Sequence, residues 1–437
     1  MTLLQISLAI FALIVCIGVF KFDTFLTFVL VSIGLGLARQ MDVSLIGKTI
    51  QTGIGNTLGD LTLIIGFGAM LGKFVADSGA AARITQALYQ LFGKKNLRWA
   101  MSLAGFIIGI PLFYNAGFVI AVPLVFALAA QTSLPVVPIA ISMLAALSVA
   151  HGYLPPHPSP AAIAQQLNAD LGKTLLYGIC VAIPAIALAG PIFGSQLSKI
   201  NAPIPEEYKK TNSLQKENMP SLGISFFVAL LPVFLLSGVG LFKSSLGAYP
   251  WFQLLAEPYI SLFISLLVAI YFLGIRKGKS MQEVSKSLED AFKSIAMLLL
   301  IIAGAGALKE IMAVSKISYE LGNSLRDIPV HPLVLGWLIA GAVRIAIGSA
   351  TIAGLTAVGI IAPIFESHTG LSPELMVLSI GAGSLMCSHV NDGGFWMYKE
   401  YFQLSIRDTL RTWTVMETIV SVVGLLGVLI LNHFLYA

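Results

Sequence analysis

Charge is scarce in this sequence. Only 11% of its 437 residues are Asp, Glu, Lys or Arg, against 57% hydrophobic residues, and the mean hydropathy is +0.88. Those values lie far outside the range of a soluble domain, so water is not the main solvent of this chain. Cysteine is almost missing as well. Cys16, Cys180 and Cys387 lie far apart in apolar surroundings, without CxxC or Cys/His spacing, so no disulfide and no metal site is expected. HExxH and GxSxG are also absent; an intramembrane enzyme would need such a group or a nucleophile beside its base, and it stands as the rival reading of a different class. No cofactor is expected. The formal charge of +5 does not imply nucleic acid, because basic residues in a membrane protein mostly record topology. The opening MTLLQISLAIFALIVCIGVFKF has neither a basic n-region nor a small-residue cleavage site, and reads as a first, retained span.

What is present is apolar runs. They cover approximately 3–20, 22–38, 60–76, 99–130, 135–150, 174–198, 222–242, 257–274, 295–313, 333–365, 375–388 and 414–435, and a bilayer core needs about 20 apolar residues per helical span. The chain is therefore expected to be an all-α, multi-pass bundle in contact with lipid. Two runs, 99–130 and 333–365, are too long for one span, and each is interrupted near its middle, by PLFYNAG (111–117) and GSATIAG (348–354). Pro, Gly, Asn, Ser and Thr there free backbone groups that lipid cannot satisfy, which suits the tip of a re-entrant hairpin enclosed by protein or a watery cavity. Two ordinary spans joined by a tight turn are the alternative.

The halves resemble each other at an offset near 238. LIIGFGAML (63–71) lies against IIAGAGALK (301–309), Ala116-Gly117 against Ala353-Gly354, Pro135 against Pro373, and His151 against His389. Weak internal symmetry of this kind marks repeat-built transporters. Basic residues orient the halves: Arg83, Lys94, Lys95 and Arg98 follow the opening span of the first, whereas only Lys316 and Arg326 follow that of the second. Short cytoplasmic loops collect Lys and Arg, so the halves are expected in inverted topology with both termini outside; Arg39 and Lys48 then fall outside too. The expected division is 1–58 N-terminal spans, 59–198 first repeat, 199–221 cytoplasmic polar linker (Lys199, Lys209, Lys210, Lys216), 222–294 connecting spans with a cytoplasmic loop, and 295–437 second repeat. Residues 280–294 read as a surface amphipathic helix.

Ionisable groups inside spans cost about 2.5 to 3.5 kcal/mol at a helix centre and need a reason. Arg344 suits a carboxylate; its alternative is a fold-internal cation capping carbonyls. His151, in SVAHGYLPPHPSP, and His389, in MCSHVNDGGFW, stand where helical runs give way to Pro- or Gly-rich backbone, and matched broken helices are the best sequence pointer to a transport site. Half-helix ends there offer N–H groups to an anion. Asp392, next to Asn391 and near Ser388, is the carboxylate of the second broken segment. Without a fixed partner a buried Asp holds a proton, as a proton-coupling group must do reversibly; a static pair with Arg344 or Lys399 is the alternative. Tyr114 and Asn115 at the first tip, and Ser349 and Thr351 at the second, supply donors and acceptors for the hydroxyls of a small organic anion. Lys73, Lys309 and Glu310 are explained by snorkelling at span ends. Both tips and both broken segments are expected around one cavity.

At LGDLTLIIGFGAMLGK, HGYLPPHPSPAAIA, NADLGKTLLYG, RIAIGSAT and SHVNDGGFWMYKEYF the chain resembles the gluconate permease (GntP) family of bacterial proton symporters, along essentially its whole length. The resemblance implies a multi-pass inner-membrane symporter taking gluconate or a related hydroxy-acid anion, driven by the proton gradient; by their own chemistry Asp392, His389 and His151 are the candidates for coupling. Through the wider ion transporter superfamily it also implies inverted repeats, re-entrant hairpins, a homodimer and an elevator-like motion. A passive anion channel and a Na⁺-coupled organic-acid transporter are the alternatives. One position departs: where this chain has Asn115, the family commonly has an acidic residue, and a neutral amide cannot carry a proton there.

Overall fold

The computed structural model describes residues 2–200, 202–205, 219–246, 249–317, 320, 330–366 and 371–436; Lys209, Lys210, Lys216 and Arg326 lie outside the described residues. Among these residues every regular element is helical, and eight helices are long and apolar enough to cross a bilayer. Shorter apolar helices, among them Thr24–Ala38, Pro332–Ile347 and Pro373–Gly383, fall below the length of a full span.

The helices recur in the same order in the two halves. Val43–Asp77 is answered by Met281–Val314, Leu97–Gly109 by Pro332–Ile347, Tyr114–Thr132 by Ala350–Glu366, Val136–Tyr153 by Pro373–Gly383, and Pro158–Gln166 by Gly393–Tyr401. The first pair of helices pack along one another, with Gly53 and Gly306 at their closest approach. Both are longer than their apolar runs. Residues 43–59 and 281–294 mix polar with apolar side chains, so hydropathy starts the spans at 60 and 295, yet each amphipathic stretch continues unbroken into its span. The helix expected at 280–294 is thus the first part of a 34-residue helix, started by a capping box between Ser280 and Glu283. Positions 58/59 and 294/295 accordingly fall inside continuous helices.

Each half also holds a helix–break–helix pair. In the first, Leu97–Gly109 stops at Pro111, which lacks an N–H and disfavours helical backbone before it, and helix resumes at Tyr114. In the second, Gly348 ends Pro332–Ile347 in the left-handed conformation, φ +85°, its N–H donating to the Arg344 carbonyl at 2.9 Å. Between these pairs lies the most enclosed stretch, 136–166. Its first helix, Val136–Tyr153, VVPIAISMLAALSVAHGY, is apolar nearly all round, as a helix surrounded by protein requires. It crosses Pro373–Gly383 at Gly152 and Gly381: a Cβ on Gly381 would sit 2.3 Å from the Gly152 carbonyl oxygen. Small residues let these two interrupted helices touch at the backbone.

Candidate functional site

A cavity of about 1050 Å³ lies where both breaks and both interrupted helices meet. Tyr114 and Asn115 reach its wall from the first break, and Gly348, Ser349 and Thr351 from the second. His151 and Pro158 come from the first interrupted segment, Asn391 and Asp392 from the second. The structure therefore brings together the four elements singled out in sequence. Four helices begin on this wall, at Tyr114, Pro158, Ala350 and Gly393. The N–H groups of a first helical turn have no intrahelical acceptor, and the helix dipole adds partial positive charge, so converging N-termini favour an anion, although Pro158 and Pro160 carry no N–H and that of Gly394 is taken by Asp392.

Arg344 is the cation of the site. It is 3% exposed, and its Nη2 donates to Asp392 Oδ2 at 2.5 Å. Asp392 is held from other sides too: Ser388 Oγ donates to the same oxygen, and Oδ1 accepts from the Gly394 N–H at 3.1 Å, capping the Gly393–Tyr401 helix. Trp413 Nε1 donates to Ser388 Oγ at 2.7 Å. Asp392 thus has the fixed partner that sequence left open, and it is Arg344, not Lys399, which bonds Glu400. Yet Arg344 is not satisfied by Asp392, since its Nε and Nη1 are buried without a hydrogen-bond partner. Two N–H donors, Nε and Nη1, thus remain unpaired on a residue that lines the cavity, each able to donate to an anion.

Around this pair the wall is aromatic. The Tyr114 ring lies 5.7 Å from that of His151 and 6.1 Å from that of Trp413, and Trp413 stacks on Tyr398 at 5.6 Å. His151 in turn meets His157 edge to face at 5.4 Å. His157 Nε2 is 2.7 Å from the carbonyl oxygen of Gly109, tying the first interrupted segment to the helix that leads into the first break. Asn115 is exposed to the cavity, whereas Ser349 and Thr351 are half-buried in its wall.

Two residues singled out in sequence stand off the wall. His389 Nε2 is 3.1 Å from the Ile345 carbonyl oxygen, and Ser388 is buried behind Asp392. The sequence offset pairs His389 with His151, but the second interrupted helix ends at Gly383 while the first runs to Tyr153. His151 therefore sits in a last helical turn and His389 in the loop beyond one. Lys73, explained in sequence as a snorkelling residue, lies on the cavity wall and pairs with Asp77 at 3.0 Å. Glu417, which the sequence reading passed over, is also on the wall, 2% exposed, with Ser148 Oγ donating to its Oε1 at 2.5 Å.

The model of the GntP family permeases matches residues 1–434. The chain is 44% identical to a high-affinity gluconate transporter of Escherichia coli strain K12, across 99% of both chains. It is 41% identical to the L-idonate transporter of the Gnt-II system of the same bacterium, across 100% of both. Among solved structures, the YdaH transporter of Alcanivorax borkumensis, described as having an unusual topology, is similar with a TM-score of 0.71, covering 94% of this chain and 98% of that one. At 14% identity that likeness is one of fold.

Proposed function

This chain belongs to the GntP permease family, a family of membrane transporters, and on that premise we propose that it carries gluconate or a related hydroxy-acid anion into the bacterial cell together with protons. The observation that carries the reading is Arg344, buried on the cavity wall with two unbonded donors among four helix N-termini. The substrate carboxylate docks on the unpaired donors of Arg344, and its hydroxyls meet Asn115, Ser349, Thr351 and His151. That relatives are named for gluconate and L-idonate over full length supports a polyhydroxylated acid as the cargo.

The reading extends to architecture. The repeated order of helices and the two helix–break–helix pairs are taken as an inverted repeat with re-entrant hairpins in the inner membrane, working as a homodimer with elevator-like motion. The cavity reaches Lys73, Asp77 and Asp290, close in sequence to the basic 83–98 and 276–293 segments. By the positive-inside rule that side is the cytoplasm, so the conformation is read as inward-open.

In proteoliposomes, an inside-alkaline pH gradient is expected to drive concentrative gluconate uptake that a protonophore collapses. Uptake that only equilibrates would make the protein a passive anion channel, and accumulation that follows an imposed Na⁺ gradient would make it a Na⁺-coupled carrier. The departure at Asn115 gives a second expectation. Asn115→Asp puts a titratable group on the open wall, where an amide has none, and should steepen the dependence of uptake on external pH. An unaltered pH profile would show that this position takes no part in coupling here.

A further inference from the structure

We propose that Glu417, positioned by Ser148, carries the coupled proton, an assignment that rests on the proton-driven reading above and names its residue. Glu417 sits on a helical run that begins at Ile406 and continues through Val415–Tyr436, which places it three turns inside. It lines the same cavity as Arg344 and is 2% exposed. Its Oε1 accepts from Ser148 Oγ at 2.5 Å, while Oε2 is buried without a hydrogen-bond partner. Among the described residues it has no ion-pair partner, because of the cations on the wall Arg344 is bonded to Asp392 and Lys73 to Asp77. A carboxylate with one hydroxyl donor and no cation is poorly tolerated away from water, whereas the neutral acid carries no charge to desolvate and gains an O–H donor at the bare Oε2.

The groups that face it are on several elements. Arg344 and Asp392 lie across the cavity and together are neutral; Tyr114 comes from the first break, and Tyr153 from the helix that also carries His151. Tyr153 donates its hydroxyl to the Val420 carbonyl at 2.5 Å. Glu374, on the neighbouring Pro373–Gly383 helix, accepts from Ser372 Oγ at 2.6 Å and from the Asp170 N–H at 3.3 Å. Neither it nor the exposed Lys173 of the Leu171–Ala187 helix reaches the cavity.

Coupling follows from charge. Before substrate arrives, Arg344 and Asp392 neutralise one another. A hydroxy-acid anion on Arg344 adds a negative charge to the cavity that Glu417 shares, and like charges in one enclosure favour protonation of the titratable partner. Anion and proton then bind cooperatively. One O–H bond forms on Glu417, with the proton taken from the side where substrate enters, and the same bond breaks into cytoplasmic water after the anion leaves. A monoanion and one proton cross together, with no net charge moved.

Gluconate binding to the purified, full-length protein, titrated calorimetrically in buffers of different ionisation enthalpy, should be accompanied by uptake of up to one proton. In Glu417→Gln, binding should persist in weakened form with proton uptake lost; in proteoliposomes its proton-driven accumulation should fall to an in/out ratio of one while gluconate/gluconate exchange continues. Proton uptake or gradient-driven accumulation kept by Glu417→Gln overturns the proposal. If that variant does not fold, Ser148→Ala retains the carboxyl but removes its donor, and the pH midpoint of gluconate binding should be displaced from that of the wild type; an undisplaced midpoint overturns it equally. The wild type separates the two readings. A wild-type protein that binds gluconate without taking up a proton ends the proton-coupled reading itself, whereas accumulation in wild type and Glu417→Gln alike ends only the assignment of the residue.

Discussion

Arg344→Ala should abolish gluconate binding and also destabilise the protein, and adding Asp392→Asn should restore the fold without restoring binding. The single change leaves Asp392, 15% exposed, without its cation, and breaking a largely buried pair from one side costs about 3 to 5 kcal/mol. Asn at 392 removes the orphaned charge while keeping an oxygen for the Gly394 N–H and a partner for Ser388, so the cap of the Gly393–Tyr401 helix survives. What the double variant still lacks is the guanidinium on the cavity wall whose Nε and Nη1 have no partner. A desolvated, charge-assisted carboxylate contact is worth roughly 3 kcal/mol or more, so affinity should fall at least about 100-fold. Arg344→Lys should recover part of it, since an ammonium holds one partner well but cannot present a planar pair of donors. Thermal melting in detergent reads the first effect, and gluconate titration the second. A double variant that binds gluconate as tightly as wild type would confine Arg344 to holding the second interrupted segment in place.

Much of this site is legible in sequence because the bilayer makes polarity expensive. Pro111, Gly348, His151 and Asp392 stand out against apolar runs, and the cost of placing such residues in lipid requires a protein-enclosed location for them. The same rule should have found Glu417. An apolar run that begins at 414 places it at a span end, where a long acidic side chain can reach the interface. The helix in fact begins at Ile406, through the mixed stretch IRDTLRTWT, and Glu417 is thereby deep. Lys73 shows the matching effect: its position near an apolar edge fits snorkelling, and the Val43–Asp77 helix also passes along the cavity there. Helix extents beyond the apolar core, set by packing of 43–59 against 281–314, are what hydropathy cannot supply. The partner of Arg344 was likewise beyond sequence, because Asp392 and Lys399 are both close candidates and only the cap at Gly394 fixes which way the carboxylate turns.

Gly348→Ala should reduce gluconate uptake by about two orders of magnitude while leaving the helical content of the protein intact. Gly348 has φ +85°, a conformation that costs an L-residue roughly 1 to 2 kcal/mol. Strain alone would be tolerable. The larger effect is steric: a Cβ at 348 would lie 2.2 Å from the backbone oxygen of Asn391, and backbone cannot rotate aside as a side chain can. Asn391 is itself fixed, its Nδ2 donating to the Ile345 carbonyl at 2.7 Å, so the second break and the second interrupted segment are locked face to face. To admit a methyl group, Asn391 must move, and Asp392 moves with it. That displacement pulls on the oxygen that orients Arg344, and through it on the donors offered to substrate, where an error of an ångström is enough to cost about 100-fold. Gly359→Ala provides the control. It lies in the helix that follows the same break, in open space with nothing within 4 Å of its added Cβ, and Ala is the better helix former by about 1 kcal/mol. It should transport as wild type does. Uptake at wild-type rate by Gly348→Ala would mean that the two segments can part without disturbing the carboxylate site, and that Arg344 is oriented by its own helix instead.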